Sequence, residues 1–155
     1  MLLILNHVGF WGPVIGLGVG ACYLPLIDTM LFIIFAFTNL LTIKALKALI
    51  AQPRPGDPQA LYSFEHYAGT ESYGMPSGHA SLSAFSVTYL YLYKGNIPAV
   101  ILLAFVQTPI TLLQRYYTYA HSEIQLFAGM LVGTLMAYVS VLLAKRIRRR
   151  KEHKM

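Results

Sequence analysis

GMPSGHASLSAFSVTYLYLY, residues 74–93, starts as a turn and finishes as a segment suited to a lipid bilayer. Pro76, Ser77 and Gly78 are turn and cap formers, and from Ala80 to Tyr93 no charged side chain appears. The apolar part, residues 77–93, gives about 25 Å of helix at 1.5 Å per residue, close to the depth of a bilayer core. A polar turn ending in His79 thus stands at the entrance to a membrane helix.

Four further stretches have the same character: residues 8–27, 29–50, 97–113 and 124–144. Together the five predict an all-α, polytopic membrane helix bundle of about five transmembrane helices. They form one domain over residues 1–144, with the first boundary at Asp28 and a basic tail over 145–155. Composition agrees, since 56% of the 155 residues are hydrophobic and 12% are charged, against roughly 25% charged in soluble domains. Gly12, Gly16 and Gly20 form a stripe that lets a neighbouring helix come close. Pro13, Pro25, Pro98 and Pro109 fall near helix ends or are absorbed as kinks.

The net charge of +6 does not describe a nucleic-acid surface, because seven of the twelve basic residues lie in the run from Lys145 to Lys154. Such a run after an apolar segment sets topology and touches anionic headgroups. Cys22 has no intrachain partner and reads as a small buried hydrophobe. MLLILNH lacks the basic n-region of a cleavable signal, so the N-terminus is expected to stay in the mature protein.

The positive-inside rule places the C-terminus in the cytoplasm, and counting back puts residues 51–76 and 114–123 together on the extracytoplasmic or lumenal side. Lys44, Lys47, Arg54 and Arg115 then sit at the outer face against the rule, and misplaced cations at membrane helix ends mark a site. Residues 51–76 also form the one long polar segment, of a length that usually carries function. Lys47, Arg54, Arg115, the Ser77-Gly78 turn, His79 and His121 are the ingredients for holding and cleaving a phosphate ester. Guanidinium forks and an ammonium match phosphate oxygens, helix-start N–H groups favour an anion, and two imidazoles offer a nucleophile and an acid.

The ordered set Lys47-x6-Arg54-Pro55, Pro76-Ser77-Gly78-His79 and Arg115-x5-His121 resembles the three-part signature of the type 2 phosphatidic acid phosphatase (PAP2) superfamily of metal-independent phosphatases, over residues 47–125. The resemblance implies that Lys47, Arg54 and Arg115 clamp the phosphoryl oxygens and that Ser77 and the Gly78 N–H complete the cradle. His121 would attack phosphorus and His79 would protonate the leaving oxygen, with no cofactor and no metal. The family's Asp four residues after the nucleophile is Gln125 here, expected to accept the Nδ1 hydrogen bond of His121. Dolichyl-diphosphatase members look similar in carrying Gln there, so the substrate expected is a polyprenyl diphosphate. A phosphatidic acid or phosphatidylglycerophosphate phosphatase and a silent lipid-binding protein are the alternatives. Relatives commonly have six spans, and a bundle of five leaves surface that a homodimer would cover.

Plainer readings hold elsewhere. Lys44 is a snorkelling lysine, Asp57 a turn former, and His7 and His153 terminal surface residues. Tyr62, Phe64, His66, Tyr67 and Tyr73 form an interfacial aromatic patch. Tyr116, Tyr117 and Tyr119 make one aromatic belt and Tyr89, Tyr91 and Tyr93 the opposite one.

Overall fold

The computed structural model describes residues 2–63, 65 and 67–152. Phe64, His66 and His153, with the readings placed on them, lie outside the described residues. Helices α1 (Leu2–Tyr23), α2 (Leu26–Ile50) and α3 (Gly78–Lys94) are followed by α4 (Pro98–Tyr117) and α5 (Glu123–Glu152). The described residues therefore form an all-helical bundle, as expected.

Helix ends follow local chemistry. The first boundary falls at Leu24-Pro25 and not at Asp28, because Pro25 has no N–H to continue the ladder and is well suited to a helix start. Asp28 instead lies buried in the first turn of α2, where the N-terminal dipole favours a carboxylate. Ala51 ends α2 in the left-handed region, at φ 48°, and returns its N–H to the Lys47 carbonyl. Pro98 opens α4, which passes through a π-helical segment at Leu103–Gln107 and runs on to Tyr117. Arg115 consequently stands in the last turn of α4 and not in the connection. Helix α5 continues without a break into the basic run.

Four helices, α1, α2, α4 and α5, are long and apolar enough to cross a membrane. The remaining one, α3, has 17 residues and packs against all four others. Its low apolarity has a physical cause: Ser81, Ser83 and Ser86 are buried and face helices, not lipid. Ser81 Oγ donates to Asn39 Oδ1 at 3.0 Å, and Gln107 Nε2 reaches Ser83 Oγ at 3.5 Å. Around α3 the core collects Phe32, Phe85, Tyr89, Leu90, Leu103 and Val141. Tyr89 is therefore a core residue and not part of a belt. Outward-facing Phe37, Phe105 and Phe127 are 61%, 76% and 65% exposed, the inverted surface a lipid-facing bundle requires.

Two sets of glycines set helix spacing. A Cβ on Gly12 would strike Gln107 and Thr111 of α4, one on Gly16 would press on Ser86 of α3, and one on Gly20 would enter the Phe32 ring of α2. The predicted stripe thus admits three helices in turn. Gly129 and Gly133 do the same on α5, where added Cβ atoms would run into the Ser77 and Ser81 carbonyls of α3.

Candidate active site

At one end of the bundle α2 finishes, α3 begins, α4 finishes and α5 begins. Short elements there place Lys47, Arg54, Gly78, His79, Arg115 and His121 around one cavity of about 400 Å³. Six of the eight side chains expected at the site thus share a wall. Ser77 and Gln125 stand behind it.

Ser77 is fully buried and caps α3, its Oγ accepting from Ala80 N at 3.4 Å while its own N–H goes to the Gln125 carbonyl at 3.0 Å. Its N–H is thus committed to the scaffold, and the cradle expected of it falls to Gly78, the first residue of α3. His79 follows in the first helical turn, with its ring 5.1 Å from that of Phe10.

His121 occupies the connection between α4 and α5 and is 2% exposed. Its Nδ1 lies 2.8 Å from the Gly74 carbonyl, which can only accept, so Nδ1 carries the proton. The lone pair then resides on Nε2, where Arg54 Nη1 approaches to 3.3 Å. Burial, followed by the charges of Arg54, Arg115 and Lys47, holds the imidazole pKa well below its ordinary 6.5. A neutral, oriented imidazole whose Nε2 keeps its lone pair, touched only by the Arg54 guanidinium, has the form a nucleophile needs.

Gln125 corrects one expectation. It does not meet Nδ1 of His121, because that proton is taken by a backbone carbonyl. Gln125 instead completes a capping box: Ser122 N donates to its Oε1 at 3.2 Å and its own N–H donates to Ser122 Oγ at 3.4 Å. Its Nε2 donates to the Pro53 carbonyl at 2.8 Å and to Gln52 Oε1 at 3.2 Å, tying the Arg54 loop to α5. The Ser122-x-x-Gln125 spacing carried this signal in the sequence.

Backbone carbonyls hold Arg54, side chains hold Arg115, and Lys47 uses one of each. Arg54 donates twice to the Glu71 carbonyl, at 3.1 and 2.7 Å, and once to the Ala120 carbonyl. Its guanidinium lies 4.5 Å over the Tyr67 ring. Lys47 donates to the Tyr73 carbonyl at 2.9 Å and pairs with Glu71 at 3.4 Å. Arg115 pairs with Glu65 at 3.1 Å and reaches the Tyr67 hydroxyl at 3.3 Å, while its buried Nε has no partner.

Glu65, Tyr67 and Glu71 are site residues that sequence reasoning missed, and they come from the long polar segment whose length alone hinted at function. Burial would raise the Glu65 carboxyl, but donors from Leu61 N, Arg115 and Tyr67 outweigh it and hold it below the usual carboxylate range. Burial pushes the Tyr67 hydroxyl up, so it remains a donor. Tyr62 of the same segment packs onto α1, meeting His7 and accepting from Trp11 Nε1 at 2.9 Å. His7 is accordingly half-buried and no surface residue.

A fixed cluster of cations beside a neutral imidazole can bind a phosphoryl group and accept it. No curated protein and no solved structure matches the chain significantly. A family model described as the PAP2 superfamily matches residues 28–149. That span covers more than half of the chain and encloses every side chain of the cation and histidine cluster, so the protein belongs to the PAP2 superfamily.

Proposed function

We propose that the protein is a metal-independent membrane lipid phosphatase that removes the terminal phosphate of a polyprenyl diphosphate through a phosphohistidine. Membership of the PAP2 superfamily supports a phosphatase acting on lipid-like phosphates. The observation that carries the mechanism is the Nδ1 hydrogen bond of His121 to the Gly74 carbonyl, which leaves Nε2 unprotonated among three cations.

In the first step His121 Nε2 attacks the terminal phosphorus and the bond to the bridging oxygen breaks. The electron pair leaves with the lipid phosphate, and His79 gives its proton to that oxygen. Lys47, Arg54 and Arg115 stabilise the charge on the three equatorial oxygens, with the N–H of Gly78 as a fourth donor. In the second step water attacks the same phosphorus, His79 takes its proton and the P–N bond breaks, releasing inorganic phosphate and free His121.

The preference for a polyprenyl diphosphate rests on Gln125 in the place of the usual Asp, seen in similar dolichyl-diphosphatase members. The basic end of α5 would lie in the cytoplasm and the cavity on the extracytoplasmic or lumenal side. Phosphate release from a polyprenyl diphosphate and from phosphatidic acid, measured with EDTA present and with His121→Ala as the blank, tests the proposal. EDTA-resistant release that prefers the diphosphate and vanishes in the variant is expected. Faster release from phosphatidic acid would move the substrate to a diacyl lipid, and turnover retained by His121→Ala would overturn the mechanism.

A further inference from the structure

Lys44 lines the same cavity as Lys47. The two are three residues apart on α2, so they share a helix face with a rise of about 4.5 Å between them. Along that face the cavity wall runs from Lys47 to Lys44 and on to Ile43 and Leu40. The order is two cations followed by apolar side chains, leading away from His121 and into the bundle. Phe10, Trp11 and Val14 of α1 supply the apolar wall opposite.

That sequence of walls matches one ligand layout: a terminal phosphate, a second phosphate one step deeper, then a hydrocarbon chain. Lys47 is paired with Glu71 and Arg115 with Glu65, whereas none of the ion pairs among the described residues uses Lys44. Lys44 is exposed, with its ammonium available to an incoming anion. A monophosphate ester would leave this position facing the glycerol or the chain, with no charge for it to meet.

We infer that Lys44 binds the lipid-proximal phosphate and thereby selects lipid diphosphates over lipid monophosphates. The inference rests on the phosphatase reading of the cavity. In the transfer step the lipid phosphate leaves on the bridging oxygen that His79 protonates, and Lys44 stands beside the negative charge that this phosphate keeps throughout. Its contribution is therefore to the diphosphate reaction alone, which separates it from a lysine that only snorkels towards the headgroups.

Two measurements test it. The first compares kcat/KM for farnesyl diphosphate and for phosphatidic acid in the wild type, Lys44→Met and Lys44→Arg. Lys44→Met should lose about 10- to 100-fold on the diphosphate, the scale of one charge-assisted hydrogen bond, with little change on the monophosphate. Lys44→Arg should recover much of that loss. Parallel losses on both substrates, or no loss on either, would overturn the inference.

The second measurement needs no turnover: affinity for a non-hydrolysable farnesyl methylenediphosphonate against farnesyl monophosphonate. Lys44→Met should weaken the first and spare the second, and an unchanged ratio would overturn the inference. A wild type that hydrolyses neither substrate would instead count against the phosphatase reading, while the binding ratio would still judge Lys44.

Discussion

The two ring nitrogens of His121 are unlike: Nδ1 is fixed by the Gly74 carbonyl, and Nε2 keeps its lone pair beside Arg54. Since burial and the surrounding cations keep its pKa well below 6.5, it stays neutral where a free imidazole takes up a proton. Protonation of His121 should therefore take no rate from phosphorylation of the enzyme as pH falls through 6.5. The acid limb should appear only lower, in single-turnover measurements across pH. An acid limb centred at or above the ordinary imidazole pKa would contradict the assignment of His121 as the attacking base.

Gln125 leads to a second expectation. Asp at this position would restore the usual family residue yet would face the Pro53 carbonyl and Gln52 Oε1 with acceptors only. Gln125→Asp should thus lower thermal stability by about 1–3 kcal/mol and reduce phosphate release, not raise it. The cations and histidines were legible in the sequence because each is a residue type at fixed spacing. The partner of His121 was not, because it is a peptide carbonyl, and every residue has one. Glu65, Tyr67 and Glu71 escaped for a related reason, since a loop's path decides which of its side chains turn inward.

At the scale of elements, the seam between α3 and α5 matters most. Gly129 meets the Ser77 backbone and Gly133 the Ser81 backbone, so this contact fixes where the Ser77-Gly78-His79 turn stands relative to His121. Gly133→Ala must push backbone from backbone, because the atoms it would strike cannot rotate away. The cost should be about 1–3 kcal/mol, the range for overpacking a tight contact. A fall in kcat should accompany it as the two halves of the site separate. Unfolding in detergent and phosphate release read these two effects, and a variant of unchanged stability would show that the seam can relax.

The helices themselves were legible as apolar runs, while their ends were less so. Asp28 looked like a boundary because it is charged, yet Pro25 makes the break and Asp28 is buried with partners. Residues Gln114 and Arg115 looked like loop because they are polar, yet both are buried in the last turn of α4. For Arg115 the reason is that its partners, Glu65 and Tyr67, wait inside.

Over the whole molecule, two polar clusters lie at opposite ends. Lys47 and Asp28 bound a stretch of α2 about 28 Å long at 1.5 Å per residue, near the thickness of a bilayer core. At the Asp28 end the carboxylate accepts from Tyr93 Oη at 2.6 Å and pairs with Arg148 at 3.2 Å. Arg148 also meets the Tyr93 hydroxyl, so α2, α3 and α5 are clasped together. Tyr93 therefore serves this clasp, not an aromatic belt. Arg148→Ala should lower stability by about 1–2 kcal/mol while leaving kcat/KM unchanged, since Arg148 is partly exposed and far from His121. Adding Asp28→Asn should return part of the loss, and a purely additive double variant would show that the two residues do not interact.

The clasp also has a place in time. Helix α5 leaves the ribosome after α2 and α3, so the Asp28 carboxylate waits in the bilayer until Arg148 has been made. A chain that stalls short of Arg148 carries that acid uncompensated, and one that reaches it closes the bundle.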